Sequence, residues 1–277
     1  MLYRFLFPSL VNFLGAYSLY ITLFRPRIFA PNQYSRFSME VDSRIEPKRL
    51  VRYCPNTFRL ASELEPQEIL SFIMLEAMCR NSSEEKNRLI ANFKPAIVLT
   101  TALSNFSTNE IVDCIWSLGM LHSRLMSDSL LNFNEVASLR QSNVLLCTKA
   151  ILTLYERSTN DNSDTLLLSR SAAKLTYGIM KLNISWRDLI DNNVDGMISS
   201  LLLKSIPNMS SQGVSNVLYS LGRMRMSCSP NKRETIEQLV KSLLIQLRAV
   251  STSLSFKGQA ISNSLWGMYL LGLKWNR

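Results

Sequence analysis

An apolar stripe recurs four times along the chain, each time around one tryptophan or tyrosine. Counted from that aromatic, apolar residues occupy positions −5, −1, +2 and +5 in most copies, a spacing typical of one face of an α-helix. The residue at +1 is serine or glycine in every copy, which allows a neighbouring helix to approach closely. We call these segments the signature helices and number each from its aromatic: Trp116, Tyr177, Tyr219 and Trp266.

The pattern also predicts how the helices are arranged. Successive aromatics lie roughly 42–61 residues apart, close to the two-helix repeats of solenoids. A weaker first copy covers 68–78 with Ile73 in the aromatic's place. Residues 89–103 are helical in pattern, with Pro95 either kinking that helix or starting a second one. Partner helices are predicted at 134–155, 188–206 and 233–250. The polar run 158–165 is predicted to be an inserted loop. The sequence therefore predicts an all-α fold, an α-solenoid of stacked helical hairpins over residues 65–277.

Local residues suggest how the signature helices begin and pack. Thr108, Ser169 and Ser211, at position −8, suit an N-cap, and Ser107 with Glu110 also fits a capping box. The aromatics at Trp116, Tyr219 and Trp266 are expected to be interior packing residues and not platforms for bases, because they stand beside the apolar stripe.

The last signature helix, predicted at 261–275, has no predicted partner helix after it. Its apolar residues Leu265, Met268, Leu271 and Leu273 would need cover. An uncovered apolar patch marks an interface or a missing segment. We therefore expect either a fragment of a longer repeat protein, truncated at its C-terminus, or a subunit whose C-terminal edge docks on a partner.

The first 40 residues have the composition of an organelle-targeting leader. Residues 5–24 carry no charge, Arg25 and Arg27 follow, and no acid precedes Glu40. We predict a leader at 1–40 and a linker at 41–64, and the mitochondrion as the location. Two alternatives stay open: a membrane anchor through 5–24, which Pro8 and Gly15 disfavour, and a signal peptide leading a plastid-type address.

Charge and chemistry narrow the function further. The formal net charge is +10, and about +6 remains without the leader, which is compatible with a nucleic-acid partner. Five scattered cysteines favour a reducing compartment over a disulfide framework, and Cys114 belongs to the predicted core. The one histidine, His122, is expected just past a helix end as a surface or capping residue. With no nucleotide-binding, hydrolase or metal-ligand motif, we expect no enzyme activity, no catalytic residue, no metal and no cofactor.

Polar residues at equivalent places in the copies suggest a binding surface. Modular RNA readers present one polar side chain per repeat, although a solvated first helical turn gives the same pattern at position −7. Position −3, with Lys174, Asn216 and Asn263 but also Asp113, allows both interpretations. The cations Arg223, Arg225, Lys232 and Arg233 suggest a phosphate patch, or cations that favour a helix C-terminus. The residues predicted to bind RNA are Asn109, Arg170, Gln212, Gln259, Arg223 and Arg225.

The string Ser-Asn-x-Leu-Trp/Tyr-Gly/Ser occurs at 215–220 and 262–267. It resembles the repeat helix of organellar octotricopeptide and heptatricopeptide proteins. It is also similar to helical regions of FAST-kinase-like and RAP-domain proteins and of the helical-repeat subunits of the kinetoplastid RNA-editing substrate-binding complex. The resemblance implies an α-solenoid that binds mitochondrial mRNA or rRNA and acts in RNA processing, editing, stability or ribosome assembly, beside other ribonucleoprotein subunits. The alternative is a helical scaffold that makes only protein–protein contacts within such a complex.

Overall fold

Every regular element in the part of the chain that the structure describes is a helix. The computed structural model describes residues 65–78, 95–127, 133–160, 169–226, 233–251 and 257–273, and no strand occurs in these ranges. The predicted all-α class is confirmed for them. The predicted leader at 1–40, including 5–24, and the linker at 41–64 lie outside the described residues. None of the described helices combines the length and the apolar character needed to cross a bilayer.

The α-helices of the described ranges are numbered in chain order. They are α1 (Pro66–Met78), α2 (Pro95–Ala102), α3 (Thr108–Ser127), α4 (Phe133–Asn160), α5 (Ser169–Lys181), α6 (Trp186–Asp191), α7 (Asp195–Ser205), α8 (Ser211–Arg223), α9 (Arg233–Ser251) and α10 (Gly258–Leu270). The signature helices are α3, α5, α8 and α10, and α1 is the weaker first copy. Helix α2 begins at Pro95, where a proline ring fits the first helical turn, and the remainder of the predicted helical stretch before it, 89–94, lies outside the described residues.

Two predicted partner elements differ from the structure. Helix α4 continues to Asn160, so residues 158–160 are helical and not part of the predicted loop. The single helix predicted at 188–206 is two helices, α6 and α7. The break follows from Asn193, which adopts a left-handed φ of 58°. Asparagine tolerates that conformation, whereas a helix cannot continue through it.

Helices α3 and α8 are capped one residue before the N-cap predicted from position −8. The Ser107–Glu110 capping box is present: the Glu110 backbone N–H donates to Ser107 Oγ at 3.3 Å, and the Ser107 N–H donates to Glu110 Oε2 at 2.7 Å. In α8 the cap is Ser210, whose Oγ accepts from the Gly213 N–H at 3.2 Å. Thr108 and Ser211 are therefore first helical residues, so these two of the three N-cap predictions are wrong by one position; the third, Ser169, is also the first residue of its helix.

The helices form two rows. In one row α3 packs against α1, α5 against α3, α8 against α5 and α10 against α8. In the other, α4 packs against α2, α7 against α4 and α9 against α7. The rows meet through α1 with α2, α3 with α4, α5 with α7 and α8 with α9. The apolar stripe of the signature helices is the buried side between the rows, as Ile111, Ile115 and Leu218 illustrate with no exposed surface.

Glycine sets the distance between signature helices in two places. A Cβ built on Gly178 would lie 2.8 Å from Trp116 Cα and 2.9 Å from the Ile115 carbonyl carbon of α3. A Cβ on Gly267 would lie 2.5 Å from the Leu218 carbonyl carbon of α8. Real Cβ atoms do not approach backbone so closely, so only glycine permits these crossings. The prediction that the small residue at +1 allows close approach is confirmed for these two pairs.

Two residues predicted from their surroundings have different outcomes. Cys114 is fully buried, as expected, and burial together with the nearby Asp113 charge raises the pKa of its thiol. His122 is not past a helix end: it lies within α3, is 5% exposed, and its Nδ1 is 3.1 Å from the carbonyl oxygen of Lys181 at the end of α5. Since a carbonyl only accepts, Nδ1 carries a proton and donates it to this carbonyl. His122 thus caps the neighbouring helix rather than its own.

Candidate nucleic-acid interface

The polar positions of the signature helices share one surface. On a helix with 3.6 residues per turn, positions −7, −3, 0 and +4 fall within about 60° of one another, opposite the buried stripe. We call their surface the signature face. It consists of Asn109, Asp113, Trp116 and Met120 of α3, Arg170, Lys174, Tyr177 and Lys181 of α5, Gln212, Asn216, Tyr219 and Arg223 of α8, and Gln259, Asn263, Trp266 and Leu270 of α10. All but Trp116 and Asn216 are exposed or half-buried, so this side of the row is a surface and not a core.

The predicted RNA-binding residues at position −7 lie at the first turns of adjacent helices. Asn109, Arg170 and Gln259 are exposed, and Gln212 is half-buried. Asn109 Oδ1 accepts a hydrogen bond from the Ser171 hydroxyl of the next helix at 3.1 Å. The structure therefore places these four side chains along one edge of the signature face.

Position −3 links neighbouring signature helices. Lys174 Nζ of α5 forms an ion pair with Asp113 Oδ1 of α3 at 2.5 Å. Asn263 Nδ2 of α10 donates to Asn216 Oδ1 of α8 at 3.3 Å, and Gln212 Nε2 donates to the same oxygen at 2.9 Å. These bridges join the same helix pairs that cross at glycine. The side chains at position −3 therefore stabilise the row. This role differs from both interpretations of the sequence, a base reader and a solvated residue.

The aromatic side chains at position 0 become more exposed to solvent from α3 to α10. Trp116 is 7% exposed, with Lys174 Nζ 4.7 Å from the centre of its ring, so its predicted packing role is consistent with its burial. Tyr177 and Tyr219 are half-buried. Trp266 is 51% exposed, and the prediction that it is an interior residue is wrong. The physical reason is that α5 covers Trp116, with Gly178 and Lys174 against it, whereas no described helix follows α10 in its row.

Position +4 brings two cations together between α5 and α8. Lys181 of α5 lies with its Nζ 5.6 Å from the ring of Tyr177 and 3.4 Å from Ser123 Oγ. Burial, and then the positive charge of Arg223 on α8, lower the pKa of the Lys181 ammonium. Arg223 itself is exposed at the last residue of α8. Sequence reasoning missed Lys181, although extending the position numbering to +4 would have placed it beside Arg223.

Three signature helices end in the same left-handed turn, and one of them uses arginine. The residue at +6 has a φ of 59° in Asn183, 55° in Arg225 and 70° in Gly272. After α8, the Arg225 N–H donates to the Gly222 carbonyl and the Met226 N–H to the Leu221 carbonyl, both at 3.0 Å, which is a Schellman motif. Asparagine and glycine suit this conformation, whereas arginine is strained in it. The strain is tolerated at a position that exposes the guanidinium group next to Arg223.

The charge of the signature face changes along the row. Around α3 it has the carboxylates of Asp113 and, one position from Asn109, Glu110. Partial burial alone would raise the pKa of Glu110, but hydrogen bonds from Ser107 and Gln67 lower it further than burial raises it. Around α5 and α8 the face has cations, with Arg170 and Arg223 exposed. The phosphates of a polyanion would therefore be attracted mainly to α5 and α8, and not to the carboxylates around α3.

Other chemistry finds little support within the described ranges. No group of three histidine, cysteine, aspartate or glutamate side chains there has an arrangement that could hold a metal ion. Lys232 lies outside the described residues, and nothing is described of the Arg233 side chain. Comparisons of the chain with protein-family models, with curated proteins and with solved structures give no match. The signature face is therefore the candidate functional site.

Proposed function

We propose that this chain is an organellar, mitochondrial RNA-binding protein whose helical hairpins stack as an α-solenoid and whose signature face contacts RNA. The two rows of helices, in which each helix contacts the previous and the next one of its row, support the solenoid. The organelle rests on the leader composition of residues 1–40. Its RNA would be a mitochondrial mRNA or rRNA, in processing, editing, stability or ribosome assembly beside other ribonucleoprotein subunits.

The cations of α5 and α8 carry the proposal. Besides Lys174, which is paired with Asp113, four basic side chains lie on or directly beside the signature face of two adjacent helices: Arg170, Lys181, Arg223 and Arg225. Among the sixteen positions of that face the only carboxylate is Asp113, and its charge is paired with Lys174. Neutralising phosphates and releasing their counterions is the main source of affinity for nucleic acid. A surface of this composition is suited to an RNA backbone.

Arg225 gives independent support. Glycine in its left-handed position would relieve roughly 1 kcal/mol or more of backbone strain. The other two helices with this turn have residues that suit it, so a strained arginine beside Arg223 is consistent with a role for its charge. Arg225→Gly should keep or raise stability and weaken RNA binding, which separates the charge from the fold.

The test compares two charge changes of equal size. The full chain with Arg170→Gln, Arg223→Gln and Arg225→Gly loses three cations on the signature-face side. The control, with Lys149→Gln, Lys241→Gln and Arg248→Gln, loses three exposed cations on α4 and α9 of the other row. Binding to a fluorescein-labelled single-stranded oligoribonucleotide is measured by anisotropy over a salt series.

We expect the face variant to weaken binding and the control to leave it unchanged. Removing one cation that meets a phosphate should reduce the slope of log K against log salt by about 0.7, and removing three should reduce it by about 2. Equal weakening by both variants would mean that net charge alone attracts RNA, and would refute an interface on the signature face. Failure of the parent chain to bind any RNA would refute the proposed function.

The amides at position −7 are proposed to contact bases. Asn109, Gln212 and Gln259 can each donate and accept hydrogen bonds toward a base edge. Changing them together with Arg170 to alanine should alter the sequence preference, which selection from a random RNA pool measures. If the quadruple variant selects the same sequences with the same affinity as the parent, the assignment is wrong.

A second candidate is a helical scaffold that contacts only proteins within a ribonucleoprotein complex. The observation in its favour is the exposure of Trp266 and Tyr269 on α10, at 51% and 67%. Exposed aromatic pairs are frequent in protein interfaces. Ultraviolet crosslinking in the organelle followed by RNA sequencing separates the candidates, since a scaffold would give no crosslinked RNA above a non-crosslinked control.

A further inference from the structure

The α10 end of the signature face presents two aromatic rings side by side. Trp266 and Tyr269 are both exposed, with ring centroids 5.5 Å apart and an angle of 33° between the ring planes. No residue between Gly258 and Leu270 is charged. Exposing two large rings together costs hydrophobic free energy, so their presence calls for a ligand that covers them.

The neighbouring helix adds a third ring and a cation at the same level. Gly267 lies directly on the backbone of α8, its built Cβ only 2.7 Å from the Tyr219 nitrogen. The backbones of α8 and α10 are therefore neighbours at position 0, where Tyr219 is half-buried and Trp266 exposed. One turn further along α8, Arg223 is exposed on the same side, and its neighbour Gly222 packs against Leu270 of α10.

Rings interleaved with cations match the chemistry of one polymer class. The bases of a single-stranded nucleic acid stack on aromatic side chains, and its phosphates pair with nearby arginines. In a duplex the base faces are stacked on one another and are closed to such contacts. An apolar protein segment would cover the rings but leave the charges of Arg223 and Arg225 without partners, so charge complementarity favours the polyanion.

We propose that the α8–α10 end of the signature face is a stacking platform for unpaired bases of single-stranded RNA. Trp266 is its main ring, Tyr219 and Tyr269 flank it, and Arg223 and Arg225 hold the adjoining phosphates. This inference rests on the proposed RNA-binding function and adds the strandedness of the ligand and the residues that hold its bases. The platform excludes Trp116, which is buried and has Lys174 over its ring.

The test uses the full chain, a single-stranded oligouridylate and a duplex of the same length. Anisotropy gives the affinity, and quenching of tryptophan fluorescence reports stacking. Trp266→Ala should reduce affinity for the single strand about tenfold or more, with an unchanged salt slope because the ring carries no charge. Trp266→Phe should keep the affinity within a few-fold and remove the quenching, which assigns that signal to Trp266. The control, Leu145→Ala, changes an equally exposed apolar residue of α4 and should have no effect.

The outcomes separate this inference from the proposed function. If the parent binds RNA but Trp266→Ala binds equally well, or the duplex binds as tightly as the single strand, the platform is refuted and RNA binding stands. If the parent binds neither RNA, both proposals fail. If Trp266→Ala instead abolishes self-association, measured by sedimentation velocity, and leaves RNA affinity intact, the rings form a protein contact and the inference is overturned.

Discussion

Replacing Gly178 with alanine would place a methyl group where the backbone of the preceding signature helix already lies. The added carbon would be 2.8 Å from Trp116 Cα and 2.9 Å from the Ile115 carbonyl carbon and oxygen. These three atoms are backbone, so no side-chain rotation relieves the contact. Helix α5 would have to move away from α3 until the closest contact reached the ordinary 3.4 Å.

The expected cost follows from two opposing terms. Moving α5 away from α3 opens a gap along the rest of the crossing, which forfeits a quarter to a half of the dispersion attraction there. Overpacking of this kind costs typically about 1–3 kcal/mol. Alanine in place of glycine within a helix regains about 0.8–1.0 kcal/mol. We expect a net loss of up to about 2 kcal/mol for Gly178→Ala, equivalent to a melting temperature lower by up to roughly 8 °C. Gly267→Ala should lose more, because its closest contact is 2.5 Å.

Gly196 is the matched control, since it is also helical but has nothing within 4 Å of a built Cβ. Gly196→Ala should therefore stabilise the chain by about 0.4–1 kcal/mol. Urea unfolding of each full-length variant, followed by circular dichroism at 222 nm, gives the free energies of unfolding. If Gly178→Ala were as stable as Gly196→Ala, α3 and α5 would not cross at the distance described, and the argument would be refuted.

Three further predictions follow from side-chain burial and pairing. Trp116→Ala should lower the free energy of unfolding by roughly 3–5 kcal/mol and Trp266→Ala by under about 0.5 kcal/mol, measured by urea unfolding; equal losses would contradict the burial difference. A double-mutant cycle with Asp113→Asn and Lys174→Met should give a coupling of about 0.5–1 kcal/mol, smaller at high salt, and a coupling of zero would contradict the ion pair. Burial lowers the pKa of His122 more than its bond to a carbonyl raises it. Below pH about 6.5 the unfolded chain therefore binds a proton that the folded chain does not, so the free energy of unfolding decreases as the pH is lowered. In His122→Gln, unfolding measured from pH 7 to 5 should depend less on pH; an unchanged dependence would place the titration elsewhere.

Numbering each signature helix from its aromatic residue predicted part of the candidate site. The numbering placed Asn109, Arg170, Gln212 and Gln259 at equivalent positions, and in the structure they lie along one edge. It could not show that Asn216 is buried and bridges to α10, because a polar residue three before the aromatic has the same local pattern whether it meets solvent or a neighbouring helix. Pairing between helices depends on contacts between residues 47 and 61 positions apart in the chain, as for Asn263 with Asn216 and Lys174 with Asp113.

Errors at helix ends have a local cause that composition alone does not resolve. Serine or threonine occurs at both the cap and the first helical position before α3, so Ser107 and Thr108 compete for the same role. The capping box settles it, because the hydrogen bonds of Glu110 reach Ser107. Within 188–206, the left-handed backbone at Asn193 divides one apolar run into two helices, although the run by itself has helical spacing throughout.

The amino-acid sequence alone was sufficient to predict the all-α class and the signature helices. A 3.6-residue period of apolar residues is a local property, so it can be recognised within one segment whatever helices pack against that segment. It also identified the small residues at Gly178 and Gly267, since backbone contact between helices requires them whatever the rest of the fold. The exposure of Trp266 and the meeting of Lys181 with Arg223 depended on which helix lies next to which. Burial and electrostatic pairing are sums over residues distant in the chain, so the same tryptophan at the same position is core in α3 and surface in α10.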